Sequence, residues 1–145
     1  MIKNWFTAIC LALILSMVLI GCAPAAPSPV AVSVTCDDFS KQKDIVRDVS
    51  IGSGGTFTIT LCSNGTTGFQ WGEKTQISDS QVLQQTGYKV VAAGDTGGKV
   101  GVPGTEVWDF KALKAGTSTV YVEYSRPWQG GEKGVQTFKL NVTVK

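Results

Sequence analysis

Strict alternation of apolar and polar side chains is the feature that most limits how this chain can fold. Phe57, Ile59 and Leu61 alternate with threonines, which places the three apolar side chains on one face of a half-buried strand. No stretch of ten residues holds a helical period, so short strands in an all-β sandwich are predicted. The same alternation recurs later in the chain, with predicted inward positions at Trp108, Phe110 and Ala112, at Val120, Val122 and Tyr124, and at Phe138, Leu140, Val142 and Val144.

The segments between these strands are less regular. Residues 30–34 alternate and are either a first strand or the end of a linker. Residues 37–43 are polar and predict a loop in which the adjacent aspartates cap a turn. Residues 73–85 predict a loop or a short helical turn, and a short strand is expected at residues 88–91.

The N-terminus has the pattern of a signal peptide. Lys3 gives a positive start, and an almost unbroken apolar run covers residues 5–20, slightly short for a spanning helix. Residues 19–22 are Leu-Ile-Gly-Cys, which resembles a bacterial lipobox. This pattern predicts that Cys22 is lipidated and becomes the first mature residue. An ordinary cleaved signal and an uncleaved anchor helix are the alternatives.

Three parts follow from this pattern: a signal peptide at residues 1–21, a Pro/Ala-rich tether at residues 22–33 and a folded domain at residues 34–145. Prolines at three of residues 23–29 favour an extended, semi-rigid spacer that would lift the domain off a lipid surface. We therefore expect an exported monomer, anchored by lipid to the periplasmic or cell-surface side of the envelope.

Composition excludes several classes of function. The 145 residues include no histidine, so the chain alone cannot supply a Ser-His-Asp or Cys-His arrangement or a histidine-containing zinc site. Its 13 basic and 11 acidic side chains give no electrostatic footprint for nucleic acid. No cofactor or metal is expected.

Outside the signal peptide and its lipidated cysteine, Cys36 and Cys62 remain. In an exported domain they suggest a disulfide, with two buried thiols as the alternative.

Three segments carry a more specific signal. Residues 63–69, the central loop, read Ser-Asn-Gly-Thr-Thr-Gly-Phe, and residues 92–104, the glycine-rich loop, end in Gly-Val-Pro-Gly. Residues 126–134 begin with the sequence Arg-Pro-Trp and are called the Arg-Pro-Trp loop. Asn, Gly and Thr make turns in any protein. Together, however, the three segments resemble the chagasin family, proteinaceous inhibitors of papain-like cysteine peptidases, whose pattern is Asn-Pro-Thr-Thr-Gly-aromatic, then Gly-x-Gly-Gly, then Arg-Pro-Trp.

The resemblance covers about the last hundred residues and implies an immunoglobulin-like β-sandwich. It places Trp71 in the core, and it places the three loops at one end, from which they enter the peptidase cleft as a wedge. The centre of the wedge would lie near the catalytic cysteine and histidine of the peptidase. The residues that it predicts to bind the peptidase are Asn64, Thr66, Thr67, Gly68, Phe69, Gly101, Gly104, Thr105, Arg126, Pro127 and Trp128.

The chain departs from the family pattern at two positions. Gly65 stands where the family usually has proline, which should loosen the central loop. Pro103 stands where glycine is usual, which removes an N–H donor. Asn64 is expected to support its own turn rather than to touch the peptidase. Arg126 and Trp128 have a second interpretation, a cation–π pair that holds their own loop.

The predicted function is therefore reversible inhibition of a papain-like peptidase, without catalysis. One alternative is a structural or adhesive immunoglobulin-like surface lipoprotein, whose loops would have no special affinity for a cysteine peptidase. The other is an enzyme, which would need a carboxylate pair or a metal. Asp37 and Asp38 are the only adjacent acidic pair, and a cap on a turn is the favoured interpretation of them.

Overall fold

A computed structural model describes residues 29–94, 97, 99 and 101–145. The predicted signal peptide, Cys22 and most of the predicted tether lie outside these residues. No helix in the described part is both long and apolar enough to cross a membrane. The elements are β1 (Val30–Val34), α1 (Cys36–Lys41), β2 (Asp44–Ile51), β3 (Thr56–Ser63), a 3-10 helix (Gly65–Thr67), β4 (Gln70–Trp71), β5 (Gln76–Ile77), β6 (Leu83–Val91), β7 (Gly104–Ala112), β8 (Gly116–Ser125) and β9 (Gln136–Val144).

Two sheets form a β-sandwich, as the alternation predicts. One sheet has the order β1-β3-β7-β6, and the other has the order β2-β9-β8-β4 with β5 paired to β8. β1 runs parallel to β3 and β2 runs parallel to β9. The remaining pairs are antiparallel. The all-β prediction is confirmed.

The core lies between the sheets, and the predicted inward positions fill it. Trp71 and Trp108 are fully buried, and the inward residues of β3, β8 and β9 are buried with them. Val107 is the exception: its alternation with Trp108 predicts that it points outward, but it is only 7% exposed. β7 is an interior strand, so Thr60 on β3 and Lys89 on β6 flank Val107 on that outer face.

The prediction of a loop at residues 37–43 is wrong, because most of this segment forms the helix α1. Thr35 caps this helix: its hydroxyl accepts a hydrogen bond from the Asp38 N–H at 3.2 Å, and its own N–H donates to the Asp38 carboxylate at 2.9 Å. This reciprocal capping box starts a short helix despite the polar sequence. The hydrogen bonds from Thr35 also lower the pKa of Asp38. Phe39 anchors the helix, with its ring centroid 5.1 Å from that of Trp71.

Two further boundaries differ from the prediction. Residues 30–34 form a strand that pairs with residues 57–61 of β3, so residues 30–33 of the predicted tether belong to the sandwich. The strand predicted at residues 88–91 begins earlier, at Leu83, and β5 lies in the segment predicted as a loop or helical turn. β6 is an edge strand with a bulge, and its mostly solvated side chains hide the alternation.

The predicted disulfide is present. Cys36, the first residue of α1, is bonded to Cys62 near the end of β3, with their Cα atoms 5.2 Å apart. The bond therefore ties β1 and α1 to the strand that leads into the central loop.

Candidate functional site

Strand direction brings the three loops to one end of the sandwich. β3 ends at Ser63, which pairs with Gly104 at the start of β7. β6 ends at Val91, which pairs with Thr105, so the glycine-rich loop lies beside the central loop. β8 ends at Ser125, which pairs with Gln70 just after the central loop. Every predicted binding residue therefore lies at this end.

The central loop is a compact turn built around Asn64. The Asn64 side-chain oxygen accepts hydrogen bonds from the Thr66 N–H at 3.2 Å and the Thr66 hydroxyl at 2.7 Å. The Thr67 hydroxyl donates to the Asn64 carbonyl at 2.7 Å. Gly68 ends the turn in the left-handed region at φ 77°. Both threonine hydroxyls thus donate within the loop, and the Thr67 hydroxyl oxygen also accepts a hydrogen bond from the Phe69 N–H at 3.4 Å. Asn64 supports its own turn, as predicted.

Gly65 is the first residue of the 3-10 helix, a position that suits proline. A Cβ atom there would meet no atom within 4 Å. The structure thus has open space for a side chain at this position. A looser central loop stays a prediction.

Tyr124 holds the base of the central loop. Its hydroxyl oxygen accepts a hydrogen bond from the Asn64 N–H at 2.9 Å, and the hydroxyl donates to the Asn64 carbonyl at 3.3 Å. The Phe69 ring stacks on Tyr124 with centroids 5.6 Å apart. The alternation in β8 predicts Tyr124 only as a core residue. Its polar tip at the last inward position of β8, next to the loops, was the signal that could have revealed this role.

The glycine-rich loop touches the central loop directly. The Asn64 side-chain amide donates to the Gly101 carbonyl at 3.1 Å, and Gly101 is left-handed at φ 76°. Gly104 has a different reason to be glycine, because a Cβ there would collide with the Val91 carbonyl oxygen of β6. Its missing side chain lets β6 and β7 approach each other within the protein. Pro103 is exposed beside it.

The Arg-Pro-Trp loop packs against the other side of the central loop. The Arg126 guanidinium lies 4.4 Å from the centroid of Phe69 and 5.7 Å from that of Trp128. Trp128 is 51% exposed, and its ring covers Gly68 so closely that a Cβ there would lie 2.8 Å from Trp128 Cη2. The cation–π interpretation of Arg126 and Trp128 is therefore supported, and Phe69 is the nearer ring.

Lys133 braces the Arg-Pro-Trp loop from within. Its ammonium group donates to the carbonyl oxygens of Arg126 and Trp128. The Gly131 N–H also donates to the Trp128 carbonyl, at 3.1 Å, and the Arg126 N–H donates to the Glu132 carbonyl at 2.8 Å. The loop is therefore held in one shape before any partner binds.

A groove of about 510 Å³ lies between the loops and the end of β6. Its walls include the central loop, Val102 and Trp128. Six large apolar side chains are exposed in the described part of the chain, and Val90, Val91, Val102 and Trp128 are four of them. Such a cluster marks an interaction surface. The described residues include no group of three or more His, Cys, Asp or Glu side chains placed to hold a metal.

Residues 50–142 match the family described as chagasin family peptidase inhibitor I42. A relative in sequence is Amoebiasin-2 from Entamoeba histolytica. It is 30% identical over 87 residues, which span 60% of this chain and 68% of Amoebiasin-2.

Three solved structures share the fold. The cysteine protease inhibitor EhICP2 from Entamoeba histolytica superposes with a TM-score of 0.63 at 23% identity, over 82% of this chain and 99% of its own. Amebosin has a TM-score of 0.53 at 25% identity, over 81% and 99%. PbICP-C, solved in complex with falcipain-2, has a TM-score of 0.59 at 20% identity, over 79% and 99%. The likeness spans nearly the whole of each of these three structures and confirms the immunoglobulin-like sandwich.

Proposed function

The chain belongs to the chagasin family of peptidase inhibitors and is not an enzyme. We propose that it inhibits papain-like cysteine peptidases reversibly, by inserting the three loops at one end of its sandwich into the active-site cleft. The observation that carries this proposal is the convergence of the three motif loops. Asn64 hydrogen-bonds to Gly101 of the second loop, and Phe69 lies beneath Arg126 of the third.

The central loop is suited to blocking a cleft without being cleaved. Its backbone turns back on itself through hydrogen bonds from Thr67 N to the Asn64 carbonyl at 3.1 Å and from Gly68 N to the Gly65 carbonyl at 3.2 Å. A backbone held in this turn cannot lie extended across a catalytic centre. The exposed tip carries only small side chains, which suits a narrow cleft, and the threonine oxygens can accept hydrogen bonds there.

Preorganisation would give this surface its affinity. Side-chain bonds hold the central loop to its own turn, to Tyr124 and to the glycine-rich loop. Ordering of loops on binding is a main cost of association, and loops that are already ordered avoid it. Trp128 then offers a half-exposed aromatic face, and tryptophan is among the residue types most enriched in binding hot spots.

The relatives support the class of partner. EhICP2 is described as a cysteine protease inhibitor, and PbICP-C was solved bound to falcipain-2. We extend the proposal to export: the chain would act as a monomer, anchored to the membrane through a lipidated Cys22. The Leu-Ile-Gly-Cys pattern at residues 19–22 supports this part.

Titration of papain with the purified protein tests the proposal. Papain activity should fall to zero near one equivalent of chain. Dilution should restore it, and the recovered chain should be intact by mass. A structural or adhesive lipoprotein predicts the opposite result. Full activity of papain and of cathepsin-like peptidases at micromolar chain would eliminate the proposed function.

A further inference from the structure

One core position of β7 holds a carboxylate instead of an apolar side chain. Glu106 precedes Trp108, Phe110 and Ala112 on the inward face of the strand. It is 1% exposed, and it is the one acidic or basic side chain in the buried class among the described residues. The three apolar residues that share its face are fully buried. A leucine or methionine at residue 106 would continue this stripe at lower cost.

The carboxylate joins both ends of the central loop. Its Oε1 atom accepts hydrogen bonds from the Ser63 hydroxyl at 2.6 Å and from the Trp71 backbone N–H at 3.1 Å. Ser63 is the first residue of the central loop, and Trp71 follows its last residue, Phe69, by two positions. One oxygen atom therefore ties the strand that enters the loop to the strand that leaves it.

The other carboxylate oxygen reaches the strand that leads into the glycine-rich loop. Glu106 Oε2 accepts a hydrogen bond from the Tyr88 hydroxyl at 2.7 Å. Burial, together with this hydrogen bond, raises the pKa of Tyr88, so the phenol stays protonated and keeps donating. Tyr88 lies on β6, three residues before that strand ends at Val91. Glu106 thus links the bases of two of the three loops.

Buried charged networks contribute less to stability than well-packed apolar residues in many proteins, while they restrict geometry. The sandwich already has an apolar core, so the fold does not require a carboxylate at residue 106. The loops do require a fixed separation, because a rigid wedge must match a cleft. The position of Glu106 at the loop end of β7 fits this second need.

We propose that Glu106 is a positioning residue for peptidase binding, which holds the two ends of the central loop together and sets their distance from β6 through Ser63, Trp71 and Tyr88. This inference rests on the proposed function, because the binding test measures inhibition of a peptidase. It does not require Glu106 to touch the peptidase.

Ser63→Ala and Ser118→Ala form a matched pair for the test. Both hydroxyls are buried, at 6% and 3% exposure, and both take part in hydrogen bonds. Ser118 lies seven residues before the loop end of β8, toward the opposite end of the sandwich. We expect both variants of the full chain to lower the melting temperature by similar amounts. Only Ser63→Ala should raise the inhibition constant for papain, by about tenfold.

Two variants of Glu106 complete the binding test. Glu106→Gln keeps the shape and one oxygen, which can still accept from Ser63 and Trp71, and its NH2 group can donate to the Tyr88 hydroxyl oxygen. Its inhibition constant should therefore stay within about threefold of wild type. Glu106→Met removes both acceptors and should raise the constant by at least tenfold. If Glu106→Met does not fold, the serine pair decides. The inference is overturned if Ser63→Ala binds like Ser118→Ala, or if folded Glu106→Met binds like wild type.

Amide hydrogen exchange separates this inference from the proposed function, because it needs no peptidase. In Ser63→Ala, the amides of Thr67 and Gly68 should exchange about tenfold faster than in wild type, while Ser118→Ala should leave them unchanged. If the wild-type chain fails to inhibit papain, the proposed function is wrong. The amide exchange rates of the two serine variants then remain as the test of the positioning role of Glu106. Equal exchange in the two serine variants would then reject the positioning role.

Discussion

Trp128 exposes half of its surface and places the rest on Gly68 and near Arg126. Because the covered half packs on neighbouring loop residues and lies outside the hydrophobic core, Trp128→Ala should leave the melting temperature within a few degrees of wild type. Against a peptidase the same ring would become buried, and hot-spot truncations cost about 2–4 kcal/mol. Papain inhibition should therefore weaken by roughly thirtyfold to a thousandfold. Inhibition assays and thermal unfolding of the same sample measure both effects.

Trp71→Ala is the control for that prediction. Trp71 is fully buried, and its indole N–H donates to the Cys62 carbonyl at 2.8 Å. Removing a core tryptophan costs about 3–5 kcal/mol, so this variant should unfold at a much lower temperature. A sharp loss of stability in Trp128→Ala, with unchanged affinity of its folded fraction, would make Trp128 part of the scaffold and contradict the wedge.

Residue roles were predictable from the sequence where the chemistry is local. Asn64 supports its own turn because its short side chain reaches the next two residues, and that follows from sequence alone. The hydrogen-bond partners of Glu106 and Tyr124 were not predictable, because they lie 18 to 60 residues away along the chain. Only the register of the strands brings those atoms together.

Among the elements, the disulfide makes the strongest stability prediction. Cys36 and Cys62 are 26 residues apart, and closing such a loop stabilises by roughly 3.5 kcal/mol in the chain-entropy model. The double variant Cys36→Ser with Cys62→Ser should therefore melt on the order of 10 °C lower than wild type. Thermal unfolding measures this loss.

Peptide mapping by mass spectrometry provides the check on the bond itself. Fragments that contain Cys36 and Cys62 should be joined in protein purified without a reductant, and they should separate on reduction. Ready alkylation of both cysteines without a reductant would contradict the presence of the bond. A double variant with the same melting temperature as wild type would contradict its predicted contribution to stability. Wild-type chain that is alkylated after reduction is the matched control.

Elements with strong alternation were predicted correctly and weakly patterned ones were not. β3, β8 and β9 each bury one face, so their period of two is plain in the sequence. α1 has one turn and a half and buries only Phe39, which is too short for a helical period to appear. β6 lies at a sheet edge and carries polar side chains along most of its length.

For the whole molecule, the sequence predicts the sandwich and the order of its motifs, but not how the loops meet. Alternation and turn signals are sufficient for an all-β class. The groove beside the central loop depends on Gly104, whose missing side chain lets β6 approach β7, and on Trp128 lying over Gly68. Both are packing contacts between distant segments, and the sequence has no periodic signal for them.

The direction of β1 relates the proposed anchor to the proposed wedge. β1 runs parallel to β3, and Val30 pairs with Phe57 near the start of that strand. Because β3 ends at the central loop, Val30 lies toward the opposite end of the sandwich, about 20 Å away at 3.3 Å per residue. A chain that is anchored at Cys22 would then join β1 at the end of the sandwich away from the loops.

Lipidation and inhibition should therefore be separable. Cys22→Ser should abolish labelling by a fatty acid and release the chain from the membrane fraction, while its inhibition constant for papain should stay within about twofold of wild type. Cys10→Ser, a change in the other cysteine outside the described residues, is the control and should keep both labelling and membrane attachment. Continued labelling of Cys22→Ser, or a mature N-terminus at another residue, would refute the anchor. Loss of inhibition in soluble, folded Cys22→Ser would show that the N-terminal segment reaches the loops, contrary to the direction of β1.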